Sequence, residues 1–341
     1  MMDKQQLQSV AKALVAPGKG ILAADESTGT IAKRFAKIEV QSTADTRRAY
    51  RNLLFTTPGV EAFVSGVILF DETIRQASDD GVPFPQVLTH KGIVPGIKVD
   101  TGAKNLAGFP GEKVTEGLDG LRERLVEYRG LGAQFAKWRA VITIGPGIPT
   151  ATCVAANAHA LARYAALCQE TGLVPIVEPE VLMDGDHSIE RCAEVTADTL
   201  QTVYSALHEH RVWLEGTLLK PNMVLSGKAC PQQAGVQEVA AATVRCLRAT
   251  VPAAVPGIVF LSGGQTPVIA TEHLNAMNKM GPHPWELSFS YGRALQEPPL
   301  TTWKGKPANG PAAQKAFYHR AELNGAARYG KYTHEMEAVA G

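Results

Sequence analysis

Pro175-Ile176-Val177-Glu178-Pro179-Glu180-Val181 reads as a β-strand, and the chain immediately beyond it decides the architecture. Residues 188–209 carry a helical pattern, and a second strand-like run, Thr217-Leu218-Leu219-Lys220-Pro221-Asn222-Met223, comes next. The same alternation extends in both directions. Short β-rich runs fall at 20–26, 64–70, 94–100, 135–141, 175–181, 217–223, 257–263 and 285–291, with helical patterns at 118–131, 151–170, 188–209 and 236–250. Glycine or proline introduces many of the strands, as Gly172 with Pro175, Gly216, and Pro256 with Gly257 do. Eight strands alternating with helices predict an α/β protein, a single-domain (β/α)8 TIM barrel. An open doubly wound sheet is the rival, but no G-x-G-x-x-G follows the first strand. No low-complexity linker divides residues 1–341, so one domain is expected: an N-terminal helix within 1–19, barrel strands over 20–293, and a C-terminal helix with a short tail over 294–341.

Composition excludes several function classes. The 341 residues are 45% hydrophobic and 20% charged, with 34 basic and 33 acidic side chains. A net charge of +1 offers no basis for binding nucleic acid or an acidic membrane surface. No apolar run approaches the ~18 residues that a membrane span needs. Leu7, Val10, Ala11 and Leu14 share one face of an amphipathic N-terminal helix, and the segment shows Asp3 in place of a signal-peptide core, so it reads as part of the fold. The five cysteines are odd in number and form no C-x-x-C pair, which fits reduced thiols and a cytoplasmic location.

In such a barrel the inward side chains alternate along each strand, and the active site lies at the strands' C-terminal ends. The predicted strands end in chemistry: Asp25; Lys98 with Asp100; Lys137 with Arg139; Glu178 with Glu180; Lys220; and Ser262. Each pair is spaced by two, so its members share a face. Lys220 is the most informative of them, because it closes an apolar run instead of lying on a solvated helix face. Burial disfavours a charged ammonium, and an amine that is neutral part of the time attacks carbonyls to form a Schiff base. The plainer reading is a structural lysine paired to a carboxylate at a strand end. With Arg293, the ring holds five cations against four carboxylates, a balance that suits an anionic substrate. The glutamates could move the protons that imine formation requires.

Two glycine-bearing loops complete the pattern. Leu261-Ser262-Gly263-Gly264 follows the seventh strand, and Ser290-Tyr291-Gly292-Arg293 ends the eighth. Glycine lets backbone N–H groups approach a phosphate, arginine adds a fixed fork of donors, and loops after strands seven and eight are the usual phosphate site of these barrels.

The chain resembles the class I fructose-1,6-bisphosphate aldolases. The resemblance is carried by Leu22-Ala23-Ala24-Asp25-Glu26-Ser27, Gly96-Ile97-Lys98-Val99-Asp100, Lys137-Trp138-Arg139, Val177-Glu178-Pro179-Glu180, Leu218-Leu219-Lys220-Pro221-Asn222-Met223, Leu261-Ser262-Gly263-Gly264-Gln265 and Ser290-Tyr291-Gly292-Arg293-Ala294-Leu295. The resemblance runs in order from about Gly18 to about Tyr332. The resemblance implies reversible cleavage of fructose 1,6-bisphosphate into dihydroxyacetone phosphate and glyceraldehyde 3-phosphate, in glycolysis and gluconeogenesis. It implies that Lys220 forms the Schiff base, that Asp25 takes the C4 hydroxyl proton, and that Glu178 is the acid/base of imine formation. Lys137 would stand beside them, with Glu180 and Arg139 in support. Ser262, Gly263, Gly292 and Arg293 would hold the 1-phosphate; Ser27, Thr30 and Lys98 would hold the 6-phosphate. No cofactor and no metal are expected, the partners are sugar bisphosphates and triose phosphates, and the family is typically a homotetramer.

Three departures stand out. Thr30 stands where the family often has serine, and keeps the hydroxyl. Thr101 stands where lysine often follows Asp100, and removes a charge from the rim. Many eukaryotic members end in a mobile tail with a terminal tyrosine, whereas the last tyrosine here is Tyr332, so deleting residues 335–341 is expected to leave cleavage within a few-fold. Rival functions are a metal-dependent barrel enzyme, a transaldolase-type Schiff-base enzyme and a non-catalytic scaffold. The nine histidines show no ligand spacing at strand ends, and Asp184-Gly185-Asp186-His187 lies in a loop. A transaldolase-type enzyme would lack the second phosphate site at Ser27 and Lys98. A scaffold would tolerate loss of Lys220 or Asp25.

Overall fold

A computed structural model describes residues 3–338. The ends of the expected terminal segments, residues 1–2 and 339–341, lie outside that range. Ten strands are present among the described residues. They are β1 (Gly20–Ala24), β2 (Val64–Leu69), β3 (Val94–Lys98), β4 (Gly102–Asn105), β5 (Lys113–Glu116), β6 (Phe135–Ile142), β7 (Val174–Val181), β8 (Leu218–Leu219), β9 (Gly257–Phe260) and β10 (Glu286–Tyr291). Eight of them pair in parallel in the order β1-β10-β9-β8-β7-β6-β3-β2 and close into a barrel, as expected. The antiparallel pair β4–β5 stands apart at the mouth. Its first strand, Gly102-Ala103-Lys104-Asn105, buries none of its residues, so no hydrophobic alternation announces it in the sequence.

Two prolines inside β7 have a local explanation. The amides of Val174 and Leu182 donate to Gln134 and Ile142 at the two ends of the β6 ladder, so even-numbered amides of β7 face β6. Pro175 and Pro179 are odd-numbered and therefore face β8, where the missing N–H groups leave little to bond. This accounts for a β8 of only two residues where the sequence pattern predicts seven. Past it, side chains replace the ladder: Asn222 Oδ1 accepts from the Val181 amide at 2.9 Å, and Lys220 N still reaches Val177 O at 2.8 Å.

The far end of the barrel is sealed. The helix Lys4–Leu14, capped by the Asp3 carboxylate on Gln6 N, lays Leu7, Ala11 and Leu14 beneath the strands. Phe135 fills the interior above it, and a Cβ on Gly96 would come within 2.3 Å of that ring, so only glycine fits there. Filled floors leave the opposite end for chemistry. Two long C-terminal helices, Arg293–Trp303 and Gly310–Arg328, pack outside the barrel. Buried Arg320 donates to Glu337 Oε2 at 2.7 Å, and Tyr332 OH donates to Oε1 of the same residue at 2.7 Å, so the tail is tied to the body. All five cysteines are free thiols, four of them on helices. No helix among the described residues is long and apolar enough to cross a membrane.

Candidate active site

A cavity of about 700 Å³ opens at the C-terminal ends of the strands. Every predicted site residue lines it: Asp25, Ser27 and Thr30; Lys98; Lys137 and Arg139; Glu178 and Glu180; Lys220; Ser262 and Gly263; Gly292 and Arg293. The strand register explains the convergence. Lys98 is paired with Lys137 across β3 and β6, and Arg139 with Glu178 across β6 and β7, so these residues share one face of the sheet at the same end of the strands.

Four of these groups form a row of alternating charge. Lys137 Nζ lies 2.7 Å from Asp25 Oδ2 and 3.2 Å from Glu178 Oε2, and Glu178 Oε1 lies 3.2 Å from Lys220 Nζ. Lys137, Glu178 and Lys220 are buried, each 4% exposed or less. The carboxylate partner that the plainer reading of Lys220 required is thus present, but it is shared with a second amine. Burial alone would raise the Asp25 carboxyl, yet Lys137 and Lys220 outweigh it and hold the group below the usual carboxylate range. Glu178 follows the same logic, with burial overcome by Lys137, Lys220 and Arg139. Burial works to neutralise Lys137, but Asp25 and Glu178 overcome it and raise its pKa, which keeps it an ammonium. Arg139 is ion-paired with Glu180, and its backbone N–H donates to Asp100 Oδ2 at 3.2 Å.

The two ends of the cavity are built for anions. Ser27 caps the helix Thr28–Ala36, and its Oγ lies 3.1 Å from Thr30 Oγ1, so both hydroxyls stand at a helix N-terminus with Lys98 on the same cavity wall. Opposite them, Gly263 and Gly264 adopt φ of +56° and +90°, left-handed conformations that favour glycine, and turn the backbone after β9 towards Arg293.

Comparison with known proteins agrees with this geometry. The family model described as glycolytic, fructose-bisphosphate aldolase class-I, matches residues 6–341. The chain is 62% identical over 332 residues to the probable fructose-bisphosphate aldolase class 1 of Xanthomonas campestris pv. campestris, covering 97% of this chain and 99% of that one. Fructose-bisphosphate aldolase 1 of Toxoplasma gondii is 56% identical over 330 residues, covering 96% and 91%. A solved structure of fructose-bisphosphate aldolase from Plasmodium falciparum, in complex with TRAP and a small-molecule inhibitor, matches with a TM-score of 0.95 at 53% identity, covering 96% of this chain and 95% of that one.

This chain belongs to the class I fructose-bisphosphate aldolase family. It is a Schiff-base lyase, and the family acts on sugar bisphosphates and triose phosphates.

The aldolase cavity also holds cations that strand-end reasoning does not reach. Lys33, Arg34 and Lys37 line it from the helix after β1, and Lys228 from the loop after β8. With them the lining carries nine cations against six carboxylates, a stronger anion-attracting field than the ring alone gives. The signal for the first three lay in helical spacing, since Thr30, Lys33, Arg34 and Lys37 recur at three and four residues. Lys228 has no such signal. Glu26 is a further residue to which the sequence pattern assigns no role. Its buried carboxylate is ion-paired with Arg51 and Arg34, and Gln296 Nε2 donates both to it and to Ala23 O at 2.7 Å. That knot fastens the end of β1, which carries Asp25, to the helix that begins at Arg293.

Proposed function

We propose that Lys220 is the nucleophile of this aldolase and that the row Asp25, Lys137, Glu178, Lys220 is its proton-handling machinery. The observation that carries the reading is the alternation of carboxylate and amine along that row at 2.7–3.2 Å. Lys220 Nζ attacks the C2 carbonyl of fructose 1,6-bisphosphate to give a carbinolamine. Glu178, held as a carboxylate at rest, takes protons from that nitrogen and passes them to the oxygen, which leaves as water, and a protonated imine remains. Asp25 then takes the C4 hydroxyl proton while the C3–C4 electron pair flows into the imine, releasing glyceraldehyde 3-phosphate and leaving an enamine. Protonation of the enamine at C3 and hydrolysis of the imine free dihydroxyacetone phosphate and restore the amine. Lys137 holds both carboxylates in place and stabilises the charge that moves between them; Glu180 and Arg139 brace the row from the side. Ser262, Gly263, Gly292 and Arg293 hold the 1-phosphate, and Ser27, Thr30 and Lys98 the 6-phosphate. The chain works as one barrel domain over residues 1–341, as a cytoplasmic homotetramer, without a metal or a cofactor.

Borohydride added with dihydroxyacetone phosphate tests the reading. Reduction of the imine should leave a stable secondary amine on the peptide around Lys220-Pro221-Asn222, detectable by mass spectrometry, with Lys98 and Lys137 unlabelled. Lys220→Met should abolish both label and turnover. Label on Lys137 would move the nucleophile to β6, and no label on any lysine would end the Schiff-base assignment of these residues. Sedimentation velocity at micromolar concentration checks the tetramer.

A further inference from the structure

The loop after β8 runs beside the loop after β7 and is laced to it by three backbone bonds of 2.8 Å each: Gly227 N to His187 O, Lys228 N to Met183 O, and Ala229 N to Gly185 O. A Cβ on Gly227 would meet the Gly185 carbonyl oxygen at 2.4 Å, so the close approach depends on that glycine. This lacing fixes the backbone of Lys228 at the cavity wall and sends its side chain to the mouth, where Nζ lies 2.7 Å from Asp184 Oδ1. Both partners are about half exposed, and ion pairs of that kind contribute little net stability and exchange readily.

A second observation concerns Gly264. A Cβ placed there would lie 3.1 Å from Arg293 Nη2 and 3.3 Å from Lys228 Nζ, so guanidinium and ammonium converge on one point above the glycine loop. Two cations crowded over one backbone turn, with the exposed Asp184 carboxylate paired to Lys228, are a poor arrangement for a protein alone and a good one for a doubly charged phosphate.

We infer that Lys228 is a second cation of the phosphate subsite at Ser262, Gly263, Gly292 and Arg293, exchanging its Asp184 partner for the phosphate when substrate binds. The inference rests on the 1-phosphate assignment proposed above. Lys228 acts on binding of the sugar's non-reacting end and takes no part in the imine chemistry, so Asp184 competes with the substrate for it and sets how strongly the phosphate is held.

Steady-state kinetics with fructose 1,6-bisphosphate and with fructose 1-phosphate, together with competitive inhibition by inorganic phosphate, test this on the full chain. Lys228→Ala should raise KM for both substrates by the same factor, about three- to tenfold for a lost charge-assisted contact, with kcat little changed and the inhibition constant of phosphate rising in step. Lys228→Arg should restore most of the loss. Asp184→Asn should act in the opposite sense and tighten phosphate, since the competing carboxylate is gone. Unchanged KM and phosphate inhibition in Lys228→Ala would overturn the inference, as would an effect confined to the bisphosphate, which would assign Lys228 to the other phosphate. Borohydride labelling of Lys220 separates this outcome from failure of the mechanism itself: if labelling persists in Lys228→Ala while phosphate binding is unaltered, only the role of Lys228 falls.

Discussion

Lys220 Nζ lies 3.2 Å from Glu178 Oε1, buried at the end of a two-residue strand, while the other oxygen of the same carboxylate faces Lys137. One carboxylate shared by two amines, one on each oxygen, gives neither of them a full counter-charge of its own. It can, however, pass a proton to whichever neighbour loses one, which is what carbonyl addition and dehydration at Lys220 demand.

Glu178→Gln should therefore keep the fold and lose the proton traffic. We expect kcat to fall about 10²–10⁴-fold, in the range typical of general acid–base groups. A quenched-flow time course of borohydride-trappable imine reads the step directly. If the imine forms at the wild-type rate in this variant, Glu178 has no part in its formation.

Asp25 carries a pH signature. Burial works to raise its carboxyl, and Lys137 and Lys220 overcome that to lower it below the ordinary value of 3.8. A carboxylate lowered in the folded state stabilises it fully above the unfolded value and loses that contribution as pH falls through the folded one. Stability against urea should thus decline as the pH drops below about 4, and Asp25→Asn should show a shallower decline over the same window. Parallel curves for the two proteins would show that the ion pair is not coupled to folding.

The phosphate ends should separate kinetically. Arg293→Ala should raise KM for fructose 1,6-bisphosphate and fructose 1-phosphate alike, the loss of a charge-assisted contact amounting to about 1.5–3 kcal/mol. Lys98→Ala should raise it for the bisphosphate alone. A bisphosphate-specific effect from Arg293→Ala would exchange the two assignments.

Glu26→Ala tests the knot behind the site. Removing the carboxylate leaves Arg51 buried at 3% exposure without its acidic partner, a change that costs about 3–5 kcal/mol in comparable buried pairs. Differential scanning calorimetry should show a clear fall in Tm. A midpoint unmoved by the substitution would mean that Gln296 alone satisfies Arg51.

Chelation should leave this aldolase active, because the protonated imine supplies the electrophilic assistance that a metal would otherwise give. Loss of cleavage in EDTA, restored by zinc, would contradict the Schiff-base assignment.

Much of the barrel and its site is legible in the sequence, for a physical reason. Barrel strands must alternate and must present chemistry at one end, so Lys98, Lys137, Glu178 and Lys220 can be placed at that end from their positions in the strand-like runs alone. What escapes lies where spacing carries no such constraint. Lys228 is aimed by backbone bonds between two loops, Glu26 acts through a glutamine 270 residues away, and the hairpin β4–β5 buries too little to show a pattern. The tail also reads differently in three dimensions. Residues 335–341 look dispensable in sequence, yet Glu337 neutralises buried Arg320, so truncation there should cost stability even where turnover survives.

The plugged floor under Phe135 and the helix Lys4–Leu14 has a practical consequence. Stabilising packing sits at one end of the strands and bond-breaking at the other, with little shared between them. Substitutions that improve the plug should add to catalytic variants independently, since sites that share no partners usually combine additively. An engineer could harden this enzyme from below, or retune its specificity from above, with neither change spending the tolerance needed for the other.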